Sequence, residues 1–534
     1  MDRLSPEILS IISYFLIKPS KSFVSWHKPR RSARQIPRPH CGPYTVSRNW
    51  QYAVEVQTFA SIHLQSTELP EFTAIFSNSH RRWFLRELFF TVCLPTHGDS
   101  RMDHATNQAA FAGALEQLFN LLALWDQQAA GDRAPPTLKL RVMCDYDIRP
   151  DADGPVQHHF NVNETSAARR YFEVGVSEFP SVSRVSSFHI DVSPGRASHP
   201  TTTCRLALLF PRLRELEIKY LDPAIKRRDM RKEHRLAFAA GLRDLRSLSE
   251  LTKLHVGRRG ALNPKNHSFV CQDLEDEKHV DPLCESIRQL AEAGRLLELD
   301  LLGVLISPDL FRNRRPGASS EQKPMSALRQ LHVEDGLLSP SGQWYYTGNP
   351  AAVVPDSPLS VYDDYSQPDG DDDSESDDSE GDSSDEDRQD RDAAINGAQP
   401  RHSWRTQPDP EMLDSLVIDM AKALHHMPAL KRARLEIAGD LPGPMGVMVQ
   451  CVKGGEDFFR APDHSDEADV GKETDRCKAW VGSTTEWEVP REAKAAMEEW
   501  LGRRGQVDVA KRPFYAGDLS DLTFPNFADP QAED

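Results

Sequence analysis

Four groups of side chains in this sequence have the types that catalysis or metal binding would need. His267, Cys271, His279 and Cys284 carry zinc-ligating atoms, but their spacing is not that of a paired ligand motif. Asp145, Asp147, Asp151 and Asp153 are spaced like a calcium loop, yet Arg149 stands where an oxygen ligand is required and the sixth-position glycine is missing. Gly98-Asp99-Ser100 has the letters of a nucleophile turn without the strand and helix that would strain it. His425-His426 closes an expected helix, where a cation complements the C-terminal end of the dipole. Neither GxxxxGK[ST] nor GxGxxG occurs, so no glycine cradle for phosphate is present. No catalytic residue, cofactor or metal is assigned, and the chain reads as non-enzymatic. The remaining chemistry is modification: Ser374, Ser379, Ser383 and Ser384 each have an acidic residue three positions later, the pattern of acidophilic kinases. Each phosphate would add about −1.5 to −2 charges.

These serines lie in a segment unlike the rest. The 534-residue chain has a net charge of −17, and residues 363–392 alone hold sixteen acidic residues against Arg388 and Arg391. The remainder is nearly neutral, so a globally basic nucleic-acid binder is not expected; the basic runs at 28–38 and 226–232 read as solvated faces. The segment 355–410 is poor in apolar residues and cannot offset its ordering entropy, so it is expected to be a disordered acidic insert. No apolar run approaches the roughly 20 residues that a membrane span needs. Eight cysteines without a CxxC pair argue against a dense disulfide framework and for a reducing location, cytoplasmic or nuclear.

Outside the insert, strands and helices alternate. Helical period marks 104–127, with Phe111, Leu115, Leu118, Phe119 and Leu122 on one stripe, and a second stripe of Leu413, Leu416, Val417, Met420, Leu424 and Met427. Strands are predicted at 85–92, 138–143, 188–192, 213–218, 254–256, 296–301, 328–333 and 435–437. Most share one register, L-x-x-L-x-φ with φ apolar: Leu85/Leu88/Phe90, Val185/Phe188/Ile190, Leu213/Leu216/Ile218, Leu251/Leu254/Val256, Leu296/Leu299/Leu301, Leu328/Leu331/Val333 and Leu430/Ala433/Leu435. The first positions are 100, 28, 38, 45, 32 and 102 residues apart, so the array is irregular. Such a register implies an α/β solenoid like that of leucine-rich repeats, its units stacking because none can bury its own apolar face. An ordinary α/β domain with leucine-rich strands is the alternative. The C-terminal part adds strands at 447–452 and 478–481 and a helix at 490–501.

Near the N-terminus, Ser5 and Pro6 open a helix carrying Leu4, Glu7, Ile8, Leu9, Ile12 and Leu16. Val46-Ser47-Arg48-Asn49-Trp50 opens a second helix, with Trp50 inward, that leads into a short strand. Together the blocks resemble an F-box, whose pattern is L-P-x-E-I-x-x-x-I-x-x-x-L followed by a V-S-R-x-W helix. With Leu69 to Phe76, Arg81 to Leu88, Leu338 to Tyr346 and His426 to Leu430, the chain is similar to a filamentous-fungal family of F-box proteins. One departure is residues 18–43, which hold Pro19, Pro29, Pro37, Pro39 and Pro43 and no acidic residue where a further helix would stand. That stretch is either an expanded basic loop or the product of an unremoved intron.

The resemblance implies a non-catalytic substrate receptor. Leu4, Pro6, Glu7, Ile8, Leu9, Ile12, Leu16, Val46 and Trp50 would bind the Skp-type adaptor of a cullin-based SCF ubiquitin ligase, and the repeats an unidentified protein substrate. The alternative is a repeat scaffold with a degenerate F-box and no ubiquitin link. The expected organisation is an F-box-like helical domain over 1–66, the irregular repeat region over 67–354, the insert over 355–410, a C-terminal α/β continuation over 411–508 and a loose tail over 509–534.

Overall fold

A computed structural model describes residues 47–95, 101–129, 136–144, 171–176, 178–190, 198–259, 264–315, 323–351, 394–397, 402–438, 446–455, 475–482, 486–502 and 505–512. They form two compact units. The first draws its described residues from Met1–Asn161, Ser166–Tyr220 and Ser247–Leu251, the second from Val162–Thr165, Leu221–Arg246 and Thr252–Asp534.

The first unit opens with helix α1 (Arg48–Thr58), whose N-cap Ser47 accepts a hydrogen bond from the Trp50 N–H at 3.2 Å. Ser47→Ala is therefore expected to cost about 1 kcal/mol, read as a shift of the denaturation midpoint. Trp50, Ala53 and Val54 form a small buried cluster. Beside them Glu55 accepts from Arg81 at 2.9 Å and meets His80 Nε2 at 2.8 Å, which fastens α1 to α3 (Ser79–Arg82). The unit continues through β1 (Ser61–Gln65), α2 (Leu69–Ile75), β2 (Glu87–Val92), α4 (Arg101–Gln128), β3 (Leu138–Cys144), β4 (Val185–Ile190), α5 (Pro200–Ala207) and β5 (Glu215–Leu221).

Each of these strands pairs in parallel with the next in chain order. Sequential addition of this kind marks stacked strand–helix repeats, whereas a doubly wound sheet reverses its order. The pairing register is the one the apolar spacing implies. Ile62, Leu88, Leu140, Phe188 and Leu216 stand in one row, and Leu64, Phe90, Val142, Ile190 and Ile218 in the next. All are buried, as is the α4 stripe of Phe111, Leu115, Leu118, Phe119 and Leu122. Phe119 and Phe188 each meet Phe210 edge-on, at 5.4 and 4.8 Å. Phe210 also closes the turn before β5, where the Leu213 N–H donates to its carbonyl.

The second unit holds α6 (Arg228–Asp244), β6 (Lys253–Arg259), α7 (Pro282–Ala291), β7 (Glu298–Leu302), β8 (Gln330–Asp335), the short antiparallel pair β9 (Tyr346–Thr347) and β10 (Gln407–Pro408), and α8 (Pro410–Ala423). After them come β11 (Arg432–Ala438), β12 (Gly446–Val452), β13 (Arg476–Gly482), α9 (Arg491–Leu501) and β14 (Gln506–Arg512). Strands β6, β7, β8 and β11 are parallel neighbours. Then β12 runs antiparallel between β11 and β13, and β14 adds in parallel to β13, so this sheet is mixed. Leu254, Leu299, Leu331 and Ala433 share one row, with Val256, Leu301, Val333 and Leu435 in the next. The protein is thus α/β, with repeating strand–helix units.

Residues 61–65 form the short strand expected after the second helix and open the first sheet, with Phe59, Ile62 and Leu64 continuing the repeat register. Three expectations need correction. Residues 402–410, assigned to the disordered insert, are held in place: the Trp404 and Arg405 N–H groups donate to His267 Nδ1 at 3.0 and 2.9 Å. The Arg405 guanidinium lies over the Trp344 and Trp404 rings at 5.1 and 4.2 Å, a packing that polar composition conceals. Strand β14 runs to Arg512, past the expected start of the tail, since its backbone completes a ladder with β13. Finally, Cys451 and Cys477 face each other across β12 and β13 as a disulfide, which a reading for a reducing location did not include. The rest of the expected insert (355–393) and tail (513–534) lies outside the described residues, apart from Ala394 to Gly397.

Candidate binding face of the sheet

Burial alternates along the strands, as in β3, where Leu138, Leu140, Val142 and Cys144 are buried while Lys139, Arg141 and Met143 are not. Parallel sheets are usually covered on both faces and read as continuous apolar runs. Here one face carries polar side chains, and the repeat register places them: they fall between its last two apolar positions.

In the first unit that row is His63, Phe89, Arg141, His189 and Glu217. His63 stacks on Phe89 at 4.2 Å, Arg141 lies over the same ring at 5.4 Å, and His189 Nδ1 meets Glu217 at 2.6 Å. Burial opposes ionisation of Glu217, but the hydrogen bond and charge of His189 and the charge of Lys219 outweigh it and hold the carboxyl at about 2. These charges offset one another.

In the second unit the row is His255, Asp300, His332 and Arg434. His255 Nδ1 pairs with Asp300 at 2.7 Å, and Lys253 with Glu298 at 2.9 Å one row before. In the row beyond, Glu334 and Glu436 stand directly opposite each other across β8 and β11. Like charges so placed repel. Arg434 compensates Glu436, with Nε 3.0 Å from its carboxylate. Among the described residues the ion-pair partner of Glu334 is His332 Nε2, at 3.8 Å. Burial first, then the charge of Arg434, holds His332 down at about 4, so at neutral pH it is uncharged and offers Glu334 no cation. Burial and the neighbouring Glu436 accordingly push Glu334 up to about 7, although Arg434 draws it down. The same register row continues through Met448 to the partly exposed Trp480. The face therefore presents an under-compensated acidic pair with an aromatic in the same row, which is chemistry suited to a basic side chain of a partner.

The strand ends behind this face are pinned by buried charges that are mutually paired. Asp222 lies 3.4 Å from Arg231 and 3.1 Å from Arg258. Burial opposes its ionisation, but the charges of Arg258, Arg231 and Arg235 prevail and keep its carboxyl below the usual range. Arg235 donates from Nε and Nη2 to the two oxygens of Asp281, each at 2.7 Å, and to the Leu305 carbonyl at 2.7 Å. These groups are structural, since their charges pair with one another.

Of the residues assigned to adaptor binding, Leu4, Pro6, Glu7, Ile8, Leu9, Ile12, Leu16 and Val46 lie outside the described residues, as do Ser374, Ser379, Ser383 and Ser384, the aspartates of the calcium-like spacing and Gly98-Asp99-Ser100. Trp50 is within α1 and 7% exposed. Of the four zinc-type residues, His267 is occupied as a backbone acceptor, and burial followed by the charges of Arg405 and His402 holds it at about 4. Burial pushes the Cys271 thiol up to about 11 and raises that of Cys284 as well. Sequence reasoning passed over Asp300, His332, Glu334 and Glu436, although the x of each L-x-φ triplet is an outward position by strand alternation. No helix among the described residues is long and apolar enough to cross a membrane. No protein-family model, curated protein or solved structure matches the chain.

Proposed function

We propose that the chain is a non-catalytic receptor that binds a basic segment of a protein substrate on the polar face of the second unit, and delivers it to a cullin-based ubiquitin ligase through a Skp-type adaptor. The observation that carries the substrate half is the Glu334–Glu436 juxtaposition, with a neutral histidine where a compensating cation would otherwise stand. Leaving one partly buried acid without a cation is a cost to the free protein that a ligand's Lys or Arg would remove. The irregular leucine-rich-repeat register supports the reading, because stacked repeats offer extended surfaces for protein binding. The adaptor half rests on the F-box-like pattern of Leu4, Glu7, Ile8, Ile12 and Leu16 and on the Ser47-capped helix that follows.

Pull-down of the full chain with purified adaptor tests that half. Ile8→Ala, at the centre of an apolar contact, is expected to weaken capture by about 1–2 kcal/mol, roughly ten-fold. Should the wild type fail to bind, and removal of residues 18–43 fail to restore binding, the ubiquitin link is lost and a protein-binding scaffold remains. An array of Lys/Arg-rich peptides tests the substrate half: retention by the wild type and its loss in the E334Q/E436Q double variant is the expected pair of results. Equal retention by both would move the substrate site elsewhere.

A further inference from the structure

The loop between β6 and α7 folds back on Asp276, whose Oδ1 accepts from the Lys278 and Val280 N–H groups at 2.8 and 3.1 Å, while its own N–H donates to the Val280 carbonyl at 3.0 Å. His279 consequently takes a left-handed backbone, with φ of 55°. The turn brings one ligand-type atom each of Asp273, Glu275 and His279 within 4.8 Å of one another. Sequence spacing had grouped His279 with cysteines instead.

A cluster of this kind on a loop is common without any ligand, and here a second feature distinguishes it. Glu275 is only 7% exposed, and its carboxylate receives no hydrogen bond from any described residue. Buried carboxylates are ordinarily paired or coordinated. Behind it Asp309 is 1% exposed, and its Oδ1 has no partner either, because only Oδ2 is engaged, by the Asp281 N–H and the Ser307 hydroxyl. Two of the cations nearby are committed elsewhere. Arg315 pairs with Glu285 and lies 3.7 Å from Asp276, and Arg235 is bound to Asp281. Burial, followed by the charges of Asp273, Asp309 and Asp281, pushes the Glu275 carboxyl up to about 7, with the exposed Arg314 offsetting only part. Negative charge is concentrated here around an acid that forms no ion pair with any cation among the described residues.

We propose that Asp273, Glu275 and His279 form a site for a divalent first-row transition ion, with zinc the ion that suits the set best. One imidazole and two carboxylates are the mixed donor set that zinc accepts, whereas calcium and magnesium prefer oxygen alone. Zinc–ligand bonds of about 2.0–2.2 Å bring tetrahedral donors to roughly 3.3–3.5 Å from one another. The present spread closes to that by rotation of the exposed Asp273 and His279 side chains onto the buried Glu275. Three protein ligands leave a fourth position for water or for a group from a partner. Binding would draw the loop together next to the start of α7 without involving the polar face of the sheet, so this proposal stands or falls independently of the receptor reading.

Calorimetric titration of the chelator-stripped full chain with zinc chloride tests it. The acidic segment 363–392 and the scattered cysteines add weak background, so the readout is the difference between wild type and variants. One binding event is expected in the wild type that is at least ten-fold weaker in Glu275→Gln and lost in His279→Ala. Zinc should raise the melting temperature of the wild type and leave that of His279→Ala unmoved. In the metal-free state Glu275→Gln should melt at or above the wild-type temperature, since it removes a repelled acid. Identical titrations of wild type and His279→Ala would overturn the site, and so would a metal-free Glu275→Gln markedly less stable than wild type, because Glu275 would then be satisfied within the fold. Asp273→Asn and His279→Ala, both at exposed positions, keep the test open should Glu275→Gln not fold.

Discussion

Replacing Asp281 by alanine is expected to destabilise the second unit by about 3–5 kcal/mol, the scale of removing one partner from a buried ion pair. The carboxylate is fully buried and performs two tasks. It takes both bonds from Arg235, which is itself 7% exposed, and it caps α7 by accepting from the Leu283 and Cys284 N–H groups at 3.3 and 3.0 Å. Alanine takes both carboxylate bonds from the buried guanidinium and removes the cap, a loss of about 1 kcal/mol by itself. The control separates these effects. In the double variant Arg235→Met/Asp281→Ser the charge is gone from both sides and a capping hydroxyl remains, so most of the stability should return. Denaturant midpoints of the wild type, Arg235→Met, Asp281→Ser and the double variant complete the cycle, and a double variant as unstable as Asp281→Ala would show that the pair is not the source of the loss.

Glu334→Gln is expected to act in the opposite direction on stability, and to harm binding. In the folded protein burial and Glu436 push this carboxyl from its ordinary 4.5 up to about 7. Between those two values the native state holds a proton that the unfolded chain has released, so stability falls as pH rises. The penalty is absent below about pH 4.5 and complete above about pH 7; for a shift of this size it is on the order of 3 kcal/mol. Glutamine has no proton to lose, so the variant should exceed the wild type by that margin at pH 8 and match it near pH 4. Its capture of basic peptides should fall at least ten-fold. The groups facing Glu334 are Glu436 and Arg434 on β11 and His332 on its own strand, and of these only Arg434 offers a positive charge at neutral pH, most of it used by Glu436. A gain in stability with unchanged binding would leave Glu334 a repelled acid without a role. A loss of stability would mean that the carboxylate is paired after all.

These two expectations separate two uses of buried charge in one unit. At Asp281 every lone pair that matters is engaged, and removal costs stability. At Glu334 and Glu275 a carboxyl is left short of a cation, and removal should cost only a ligand. Stability against neutral substitution is therefore the measurement that sorts structural acids from candidate binding acids in this protein.

Much of the fold was legible because strand alternation and repeat stacking are written in local spacing. Leu88, Phe188, Leu216, Leu254, Leu299, Leu331 and Ala433 were aligned by their distance from neighbouring apolar residues, and they occupy corresponding positions of the paired strands. Each unit must put its second and third apolar positions on the covered face, since a slip of one residue would turn them to the other side. The amphipathic stripe of α4 and the helix beginning at Arg48 were equally local and equally readable. Strands β1 and β3 were expected as strands but left out of the shared register for a specific reason: Phe59 and Thr137 replace leucine at the first position, while Ile62, Leu64, Leu140 and Val142 keep the rest.

What tertiary structure alone decided is which polar residues meet. The Glu334–Glu436 pair joins residues about a hundred positions apart; the Arg235–Asp281 pair and the Cys451–Cys477 disulfide likewise bridge separate elements. No short-range periodicity reports such contacts, because a polar side chain has the same local pattern whether it faces water, a partner or a like charge. Trp404 and Arg405 sit in a stretch whose composition reads as disordered, and it is their contact with His267 and Trp344, over a hundred and about sixty positions earlier, that holds them. The sequence by itself thus determined the apolar rows and their register, for burial imposes a period on every strand that obeys it. The charges on the open face, and the acids left without a partner, were decided only when the folded strands set them side by side.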